Sequence, residues 1–253
     1  MSIYKKTRLD QLLVDSGLAA TRSRAADLVR RGAVSVEGVA VLKPGALVRP
    51  DAALAVESGA FPYVSRGGLK LAAALDAFGF SPEGRVALDL GASTGGFTDV
   101  LLDRGAVKVY AVDVGRDQLD KTLRFDPGEV ALEGTDARSL DASVIPEPVQ
   151  AIVADVSFIS LTLVLPPAFR LAAPGAWLVA LVKPQFEAGR DAVGKGGIVR
   201  DPAKRKEAVV KVLDFIEKAG WTVIGEAPSP IKGGSGNEEI LIGARHGARG
   251  RDH

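Results

Sequence analysis

The stretch from residue 86 to residue 98, VALDLGASTGGFT, limits what this chain can fold into more than any other stretch. Val86 to Leu90 reads as a short buried strand, and the Gly/Ser run after it is typical of a tight turn. Phe97 and Leu101 fall on one face of a helix predicted to stop at Gly105. A strand, a glycine turn and a helix form the first unit of a doubly wound sheet, in which the ligand lies at the carboxyl ends of the strands.

The turn also indicates which ligand this site takes. It reads Asp-x-Gly-x-x-x-Gly-Gly from Asp89, which differs from the G-x-G-x-x-G of a dinucleotide site. An acid at the strand end would repel a pyrophosphate but suits a cationic amine. The next predicted strand, Val107 to Val112, ends in Asp113, whose carboxylate can accept hydrogen bonds from ribose hydroxyls. S-adenosylmethionine has an amine and a ribose but no phosphate, and it is the predicted cofactor; the alternative is a structural glycine turn in another Rossmann-like domain.

A third acid extends the predicted cofactor site. Glu129 to Glu133 reads as the third strand, and Asp136 follows it, where it can accept a hydrogen bond from the adenine amine. The residues expected to bind the cofactor are Asp89, Gly91, Ser93, Gly96, Phe97, Asp113 and Asp136.

Further strands alternate with helical patterns along the rest of the chain. They are predicted at Ala151–Asp155, Ala176–Val182, Trp221–Ile224 and Ile240–Gly243. This alternation predicts an α/β fold with a mostly parallel sheet and helices on both faces. The fold class that we expect is a Rossmann-like, seven-stranded sheet with its last strand antiparallel, preceded by a small α+β domain.

Composition excludes several kinds of chemistry. The chain has no cysteine, which excludes disulfides, thiolate metal sites and a cysteine nucleophile. Its two histidines, His246 and His253, lie in a polar tail, so a histidine base is not expected and neither is a metal site. The sequence has no run of eighteen apolar residues and no signal-peptide core, and we expect a cytoplasmic protein that does not span a membrane.

The N-terminal segment is more basic than the rest. Residues 1–60 carry nine Lys/Arg and six Asp/Glu, a net charge of +3 in a chain whose total is +1. Helices are predicted over Arg8–Ser16 and Arg22–Arg31, and short strands over Val34–Val36 and Val39–Val41. Arginine forks match phosphate geometry, which favours nucleic acid as a partner, although a solvated helix face is the common reading of such a run.

A resemblance makes the N-terminal prediction more specific. The motifs Arg8-Leu9-Asp10, Thr21–Ala25, Gly32–Gly38 and Lys43-Pro44 resemble the small alpha-L RNA-binding domain over about the first sixty residues. That resemblance implies RNA binding by this segment. The residues expected to contact RNA, including one from the start of the second domain, are Arg8, Arg22, Arg24, Arg30, Arg31, Lys43 and Arg66.

Four charged residues from separate segments are predicted to converge at the carboxyl ends of the strands. Asp155 ends the fourth strand, Lys183 follows the fifth, Glu239 begins the last, and Lys70 comes from the first turn of a helix after residue 66. Charges at strand ends of an open α/β sheet usually face ligand, whereas the alternative is an ordinary network of ion pairs. Lys70 alone would be read as a solvated lysine away from the apolar face.

These four residues suit the methylation of a hydroxyl group. The sulfonium already activates the methyl group, so the protein must align the attacking atom and remove its proton. Lys183 is the predicted base, Lys70 the neighbouring charge, and Asp155 and Glu239 hold the lysines and orient the hydroxyl. Methylation at carbon five of a pyrimidine needs a thiolate, and amine methylation often uses Asn/Asp-Pro-Pro-aromatic where this chain has Asp155-Val-Ser-Phe. With these two kinds of methyl acceptor disfavoured, a ribose hydroxyl is the predicted acceptor of the methyl group.

The whole chain resembles the TlyA family, whose members are often labelled hemolysin A and are regarded as ribosomal RNA ribose 2′-O-methyltransferases. The matching stretches are Val64–Lys70, Asp89–Thr98, Ala154–Leu161, Leu181–Glu187 and Ser235–Glu239. The second half is also similar to FtsJ-type enzymes, whose Lys-Asp-Lys-Glu tetrad carries over to Lys70, Asp155, Lys183 and Glu239. The resemblance implies cytidine targets in ribosomal RNA or ribosomal subunits, and only the motif's spacing selects Glu239 over Glu238.

Domain limits and two alternative functions complete the predictions. We expect an RNA-binding domain over residues 1–59, a linker over 60–64, a methyltransferase domain over 65–246 and a frayed tail over 247–253. Residues 185–201 are glycine-rich and basic, and we expect either a mobile loop on which RNA lies or a plain surface loop. The alternatives are a cytolysin, as the hemolysin label suggests, and a catalytically silent RNA-binding factor in ribosome assembly. A nicotinamide-dependent oxidoreductase is disfavoured by Asp89 and the missing G-x-G-x-x-G.

Overall fold

The structure, a computed structural model, describes residues 6–19, 22–30, 32–56, 63–194, 196–233 and 236–247. Several predictions lie outside these residues: Arg31, the side chain of Arg24, most of the linker, and the tail beyond residue 247. The chain divides into two compact units, Met1–Arg66 and Gly67–His253.

The first unit is a small α+β structure. Its elements are β1 (Thr7–Arg8), α1 (Leu9–Asp15), α2 (Arg22–Arg30), β2 (Val34–Val36), β3 (Val39–Ala40), β4 (Leu47–Val48) and β5 (Leu54–Val56). Strand β2 lies between β3 and β5 in an antiparallel sheet, and β1 pairs with β4. Leu9 and Leu13 of α1 pack against Ala25, Leu28 and Val29 of α2, as their helical spacing predicts.

The start of the first helix differs from the prediction. Arg8 was expected to begin the first helix but lies in β1, opposite Leu47. The backbone of Arg8 is extended, with φ −66° and ψ 137°, and α1 starts at the next residue. The pairing partner is almost forty residues away, and therefore no local pattern around Arg8 signals this strand.

In the described part of the second unit, seven strands form one sheet in the order β11-β12-β10-β9-β6-β7-β8. Strand β12 is antiparallel to both of its neighbours and the other neighbouring pairs are parallel, as predicted. The strands are β6 (Val86–Leu90), β7 (Lys108–Asp113), β8 (Glu129–Glu133), β9 (Val149–Ala154), β10 (Ala172–Val182), β11 (Trp221–Pro228) and β12 (Ile240–His246).

Helices cover the sheet in the second unit. They are α3 (Gly67–Phe78), α4 (Gly96–Asp103), α5 (Leu161–Arg170), α6 (Pro184–Glu187) and α7 (Pro202–Lys218). Helices α5 and α7 pack on a large apolar core with alternate residues of the central strands, such as Leu88 and Ile152. Phe78 of α3 lies against Gly243 of β12, where a Cβ would approach the ring to 2.6 Å.

Several strands are longer than their apolar patterns predicted. Strand β10 begins at Ala172, before the apolar run, and β11 and β12 extend to Pro228 and His246. The added residues of β11 and β12 each lie opposite the predicted part of the other strand, in an antiparallel ladder that runs from Trp221 opposite His246 to Pro228 opposite Ile240, and Ala172 pairs with Val149 of β9. The ends of these strands are defined by hydrogen bonding to a neighbouring strand rather than by burial. The hydrophobic pattern of the sequence therefore does not predict where they lie.

Candidate active site

The glycine turn after β6 brings two loops into close contact. Gly91 has a φ of +84°, and a Cβ there would lie 2.8 Å from the backbone oxygen of Asp155. A side chain at position 91 is excluded by this contact as well as by the backbone conformation. Gly95, with φ +95°, caps the N-terminus of α4. Gly91 therefore allows the turn to lie in direct contact with the backbone of the loop that follows β9.

A cleft of about 380 Å³ lies beside this turn, at the carboxyl ends of the parallel strands. Four of the predicted cofactor-binding residues line it: Gly91, Ser93, Asp113 and Asp136. Asp89, Gly96 and Phe97 are buried and lie outside its lining. The remaining lining residues are Val112, Val114, Gln118, Thr135, Ala137, Asp155, Val156, Ser157, Phe158, Ile159 and Val164.

Both acids predicted to face the nucleoside are held in place by other groups. Asp113 Oδ2 accepts a hydrogen bond from Ser93 N at 2.8 Å, and its Oδ1 accepts one from Gly115 N at 2.7 Å. The Asp136 carboxylate is paired with the Arg138 guanidinium, which lowers its pKa. Each of these two oxygens of Asp113 keeps a second lone pair for a ligand, whereas both oxygens of Asp136 already accept two hydrogen bonds from Arg138.

Asp89 lies behind the cleft and is unlike the other acids. It is fully buried, and its Oδ2 accepts a hydrogen bond from the Thr98 hydroxyl at 2.7 Å. Within the described part of the chain, its Oδ1 has no hydrogen-bond partner. Burial raises the pKa of Asp89 to about 7, and the charges of Asp155 and Asp113 add to this rise.

These observations fit the predicted cofactor. Gly91 admits a ligand close to the backbone, Asp113 offers an acceptor at the wall of the cleft, and the buried Oδ1 of Asp89 has no hydrogen-bond partner in the described part of the chain. The cleft is within the usual size range of small-molecule sites. The residues present therefore suit S-adenosylmethionine.

Lys70 and Glu239 form a buried ion pair, with Lys70 Nζ 2.5 Å from Glu239 Oε2. Lys70 lies in the first turn of α3 and is only 5% exposed, so it is not the solvated lysine that its local sequence suggested. Glu239 is also buried, whereas Glu238 is exposed and pairs with Arg205 at 3.4 Å. The geometry thus favours Glu239 over its neighbour.

Lys183 and Asp155 form a second pair, with Lys183 Nζ 2.6 Å from Asp155 Oδ1. The same ammonium donates to Ser157 Oγ at 2.9 Å. Asp155 and Ser157 both line the cleft, so the amine of Lys183 is held at its wall. Ser157 lies in the stretch Ala154–Leu161 that resembles the family, but no role was predicted for it, because a serine three residues after a strand carries no distinctive signal.

The sheet register explains why the two pairs lie at the same edge. Val182 is opposite Ile240 in the antiparallel ladder of β10 and β12, so Lys183 and Glu239 are the next residues on adjacent strands. Ala180 is opposite Ala154 in the parallel ladder of β10 and β9, which brings Asp155 to that edge as well. The four predicted residues are therefore brought together as two ion pairs.

Two features of the site had no specific signal in the sequence. Phe158 is 90% exposed at the cleft rim and has a left-handed backbone, with φ +66°, an uncommon conformation for an aromatic residue. Asn237 is buried and bonds Val199 N and Gly197 O. The segment expected to be a mobile or plain loop therefore contains α6, a 3₁₀ turn at Arg190–Ala192 and this attachment.

The predicted RNA-binding residues fall into two groups in the first unit. Arg8 binds both carboxylate oxygens of the buried Asp10, and Arg22 lies 3.5 Å from the same carboxylate. Arg30 and Lys43 are exposed. Arg66, at the last position of this unit, is half-buried.

Comparison with known proteins identifies the class. Residues 63–246 match the FtsJ-like methyltransferase family, and residues 7–54 match the S4 domain. Together with the sheet order and the cleft, this match makes the protein a Rossmann-like methyltransferase that carries an S4 domain.

Full-length relatives identify the family within this class. The chain is 46% identical over 242 residues to a Mycobacterium tuberculosis protein named 16S/23S rRNA (cytidine-2′-O)-methyltransferase TlyA, covering 95% of this chain and 90% of that one. It is 41% identical over 235 residues to Hemolysin A of Brachyspira hyodysenteriae, covering 92% and 98%. A solved structure from Streptococcus thermophilus, named as a hemolysin, aligns with a TM-score of 0.77 at 41% identity, covering 96% and 89%. The chain belongs to the TlyA family.

The raised pKa of Asp89 predicts a dependence of stability on pH. Between pH 4 and 7 the folded protein retains a proton that the unfolded chain releases, so this contribution to stability decreases as pH rises and is lost above about pH 7. The melting temperature of the wild type relative to Asp89→Asn should therefore fall by several degrees from pH 5 to pH 8 in scanning calorimetry. The exposed Asp103→Asn serves as the control and should follow the wild type. Parallel profiles for Asp89→Asn and the wild type would contradict the assignment.

Proposed function

We propose that the protein transfers a methyl group from S-adenosylmethionine to a ribose 2′-hydroxyl of a cytidine in ribosomal RNA. The observation that carries this proposal is the amine of Lys183, which Asp155 and Ser157 hold at the wall of the cleft. When bound, S-adenosylmethionine supplies an activated methyl group. The protein's own residues must then present a sugar oxygen and accept its proton.

Lys183 is the residue suited to accept that proton. An amine accepts a proton only in its neutral form, so Lys183 must release its own proton before it can take that of the hydroxyl. Asp155 and Ser157 restrict where its nitrogen lies, and Lys70 is similarly restricted by Glu239. General-base assistance contributes about 10²–10⁴ in rate, and alignment of the reacting atoms contributes further. No cysteine is present to support the thiolate chemistry of carbon-five methylation.

Two features support RNA as the substrate. The first is the S4 domain with its basic side chains. The second is an open hollow of about 890 Å³ that shares Phe158 and Ile159 with the cleft and is also lined by Phe186 and Arg138. The rings of Phe158 and Phe186 lie 5.1 Å apart. Exposed aromatic rings stack on unpaired bases, and arginine contacts phosphate or base. We propose ribosomal RNA or a ribosomal subunit in the cytoplasm as the partner.

The hemolysin names of two relatives are the one observation that favours a lytic activity. Among the described residues, no helix is long and apolar enough to cross a membrane. A silent role in ribosome assembly would leave the ion pairs Lys70–Glu239 and Lys183–Asp155 without a catalytic use. Both alternatives predict that changes at Lys183 leave the biological activity intact.

Replacing Lys183 by arginine tests its role as the base. Arginine keeps the positive charge and the pairing with Asp155 but does not lose its proton in proteins. We expect Lys183→Arg and Lys183→Ala to lower tritiated methyl transfer to purified ribosomal subunits about 10²–10⁴-fold. Calorimetric affinity for S-adenosylmethionine should stay within about twofold of the wild type, because these substitutions leave all of the cleft's lining residues unchanged.

The exposed Lys232→Ala is the control and should retain full activity. Wild-type turnover by Lys183→Arg would exclude Lys183 as the base. Lysis of red cells that is unaffected by Lys183→Ala would favour the cytolysin instead.

Arg30 and Lys43 are both exposed, and we expect each of them to contact a phosphate of the RNA. We expect Arg30→Ala combined with Lys43→Ala to reduce the slope of log affinity against log salt concentration by about 1 per lost contact in RNA-binding titrations. Arg49→Ala changes the charge of the same unit, but Arg49 is paired with Asp51, so its slope should change less. Equal slopes for the double variant and the wild type would assign RNA binding to other residues.

A further inference from the structure

Glu187 is a buried carboxylate to which the proposed reaction gives no role. It is the last residue of α6, the single helical turn that directly follows Lys183, and it is 5% exposed. A buried carboxylate is costly unless hydrogen bonds and opposite charges compensate for lost hydration. Its partners therefore show what it is used for.

The carboxylate of Glu187 is bonded to the start of α5. Its Oε1 accepts a hydrogen bond from Leu161 N at 2.7 Å, and its Oε2 accepts one from Ser160 Oγ at 2.5 Å. Leu161 is the first residue of α5, and its N–H has no acceptor within the helix. The positive end of the helix dipole also favours a carboxylate at this position. Glu187 thus caps the N-terminus of α5 from another segment of the chain, because it accepts a hydrogen bond from an N–H group that has no acceptor within the helix.

The two segments that Glu187 joins are those that carry the proposed base and its partners. Ser160 lies five residues after Asp155, on the loop that also presents Ser157. Lys183 is the residue immediately before α6, so one helical turn separates it from Glu187. The same two segments are joined a second time by the contacts of Lys183 with Asp155 and Ser157.

We propose that Glu187 is a positioning residue for Lys183. A single attachment between two segments fixes the distance between them at one point but leaves them free to rotate about it. A second attachment between the same segments also fixes their relative rotation. The Lys183 ion pair is the attachment at the reacting atom, and the Glu187 contacts are the attachment one turn away. This inference rests on the proposed function for its effect on catalysis, but the positional effect itself is independent of it.

Lys211 of α7 completes the surroundings of Glu187 and distinguishes this role from a plain ion pair. Its Nζ donates to the backbone oxygen of Glu187 at 3.1 Å and lies 3.5 Å from Oε2. The Lys211 side chain is half exposed, and the longer separation makes it a weaker partner than Leu161 N and Ser160 Oγ. The hydrogen bonds to α5, rather than the ion pair, define the position of the carboxylate.

Competitive labelling of lysines with trace acetic anhydride, read by mass spectrometry, measures the positional effect without methyl transfer. In Glu187→Ala we expect acetylation of Lys183 to increase at least about fivefold, because its amine is no longer held against Asp155. Lys70 is the internal reference, since its pairing with Glu239 does not involve Glu187. In Glu187→Gln, whose amide can accept from Leu161 N and donate to Ser160 Oγ, labelling should stay near the wild-type level.

Kinetics on ribosomal subunits measure the catalytic consequence. We expect kcat of Glu187→Ala to fall about 10- to 100-fold, in keeping with the effect of small misplacements on rate. KM for S-adenosylmethionine and for RNA should stay within twofold, and Glu187→Gln should recover most of kcat. The matched control is Asp201→Ala, which removes a carboxylate that caps α7 through Ala203 N at 2.8 Å. It should lower the melting temperature without changing kcat or Lys183 labelling.

Each contrary outcome overturns the proposal. It fails if Lys183 labelling in Glu187→Ala equals that of the wild type, if Asp201→Ala reproduces the kinetic loss, or if Glu187→Gln is as defective as Glu187→Ala. Absence of methyl transfer by the wild type, with a labelling change in Glu187→Ala, would refute the proposed function and leave the positioning contact established.

Discussion

The register of the antiparallel ladder between β10 and β12 determines whether this site can exist. Val182 opposite Ile240 makes Lys183 and Glu239 neighbours at one sheet edge, and the parallel ladder with β9 adds Asp155. A slip of one residue would turn these side chains to the opposite face, because side chains alternate along a strand. Residues 176–182 of β10 are buried on both faces of the sheet, so the hydrogen-bond ladders with β9 and β12, rather than an alternation of apolar and polar residues, hold this register.

Part of this arrangement could be predicted from the sequence. Charges directly after buried strands, such as Asp155 and Lys183, are visible locally, and the topology of an α/β sheet places them at one edge. Gly91 was also recognisable, since no other residue fits its contact with the Asp155 backbone. Family resemblance added Lys70, for which the local pattern gave the opposite prediction. Its burial depends on Glu239, which is 169 residues away.

Other parts of the site depend on contacts that no local pattern encodes. The pairing of Asp136 with Arg138 was not expected, although the two residues are close in sequence, because either side chain could equally face solvent. Arg8 and Arg22 were read as phosphate ligands, yet both lie against the buried Asp10, where the Arg8 guanidinium lowers the pKa of the carboxyl. These arginines have a structural use in addition to any contact with RNA. Glu187 was inside a recognised motif, but its purpose is defined only by the start of α5.

The site also shows why buried charges are kept where apolar residues would pack at lower cost. Breaking a buried pair is strongly destabilising, but an apolar replacement of both partners is often neutral, so stability alone does not explain the buried pair of Lys70 and Glu239. A charged pair has a defined geometry, whereas apolar contacts tolerate sliding. The left-handed backbone of Phe158, next to Ser157, stores strain that the surrounding contacts must hold. The strained backbone of Phe158, the pair of Lys183 with Asp155 and the Glu187 attachment all lie within the two segments that follow β9 and β10, so the contacts that hold the amine of Lys183 are concentrated there.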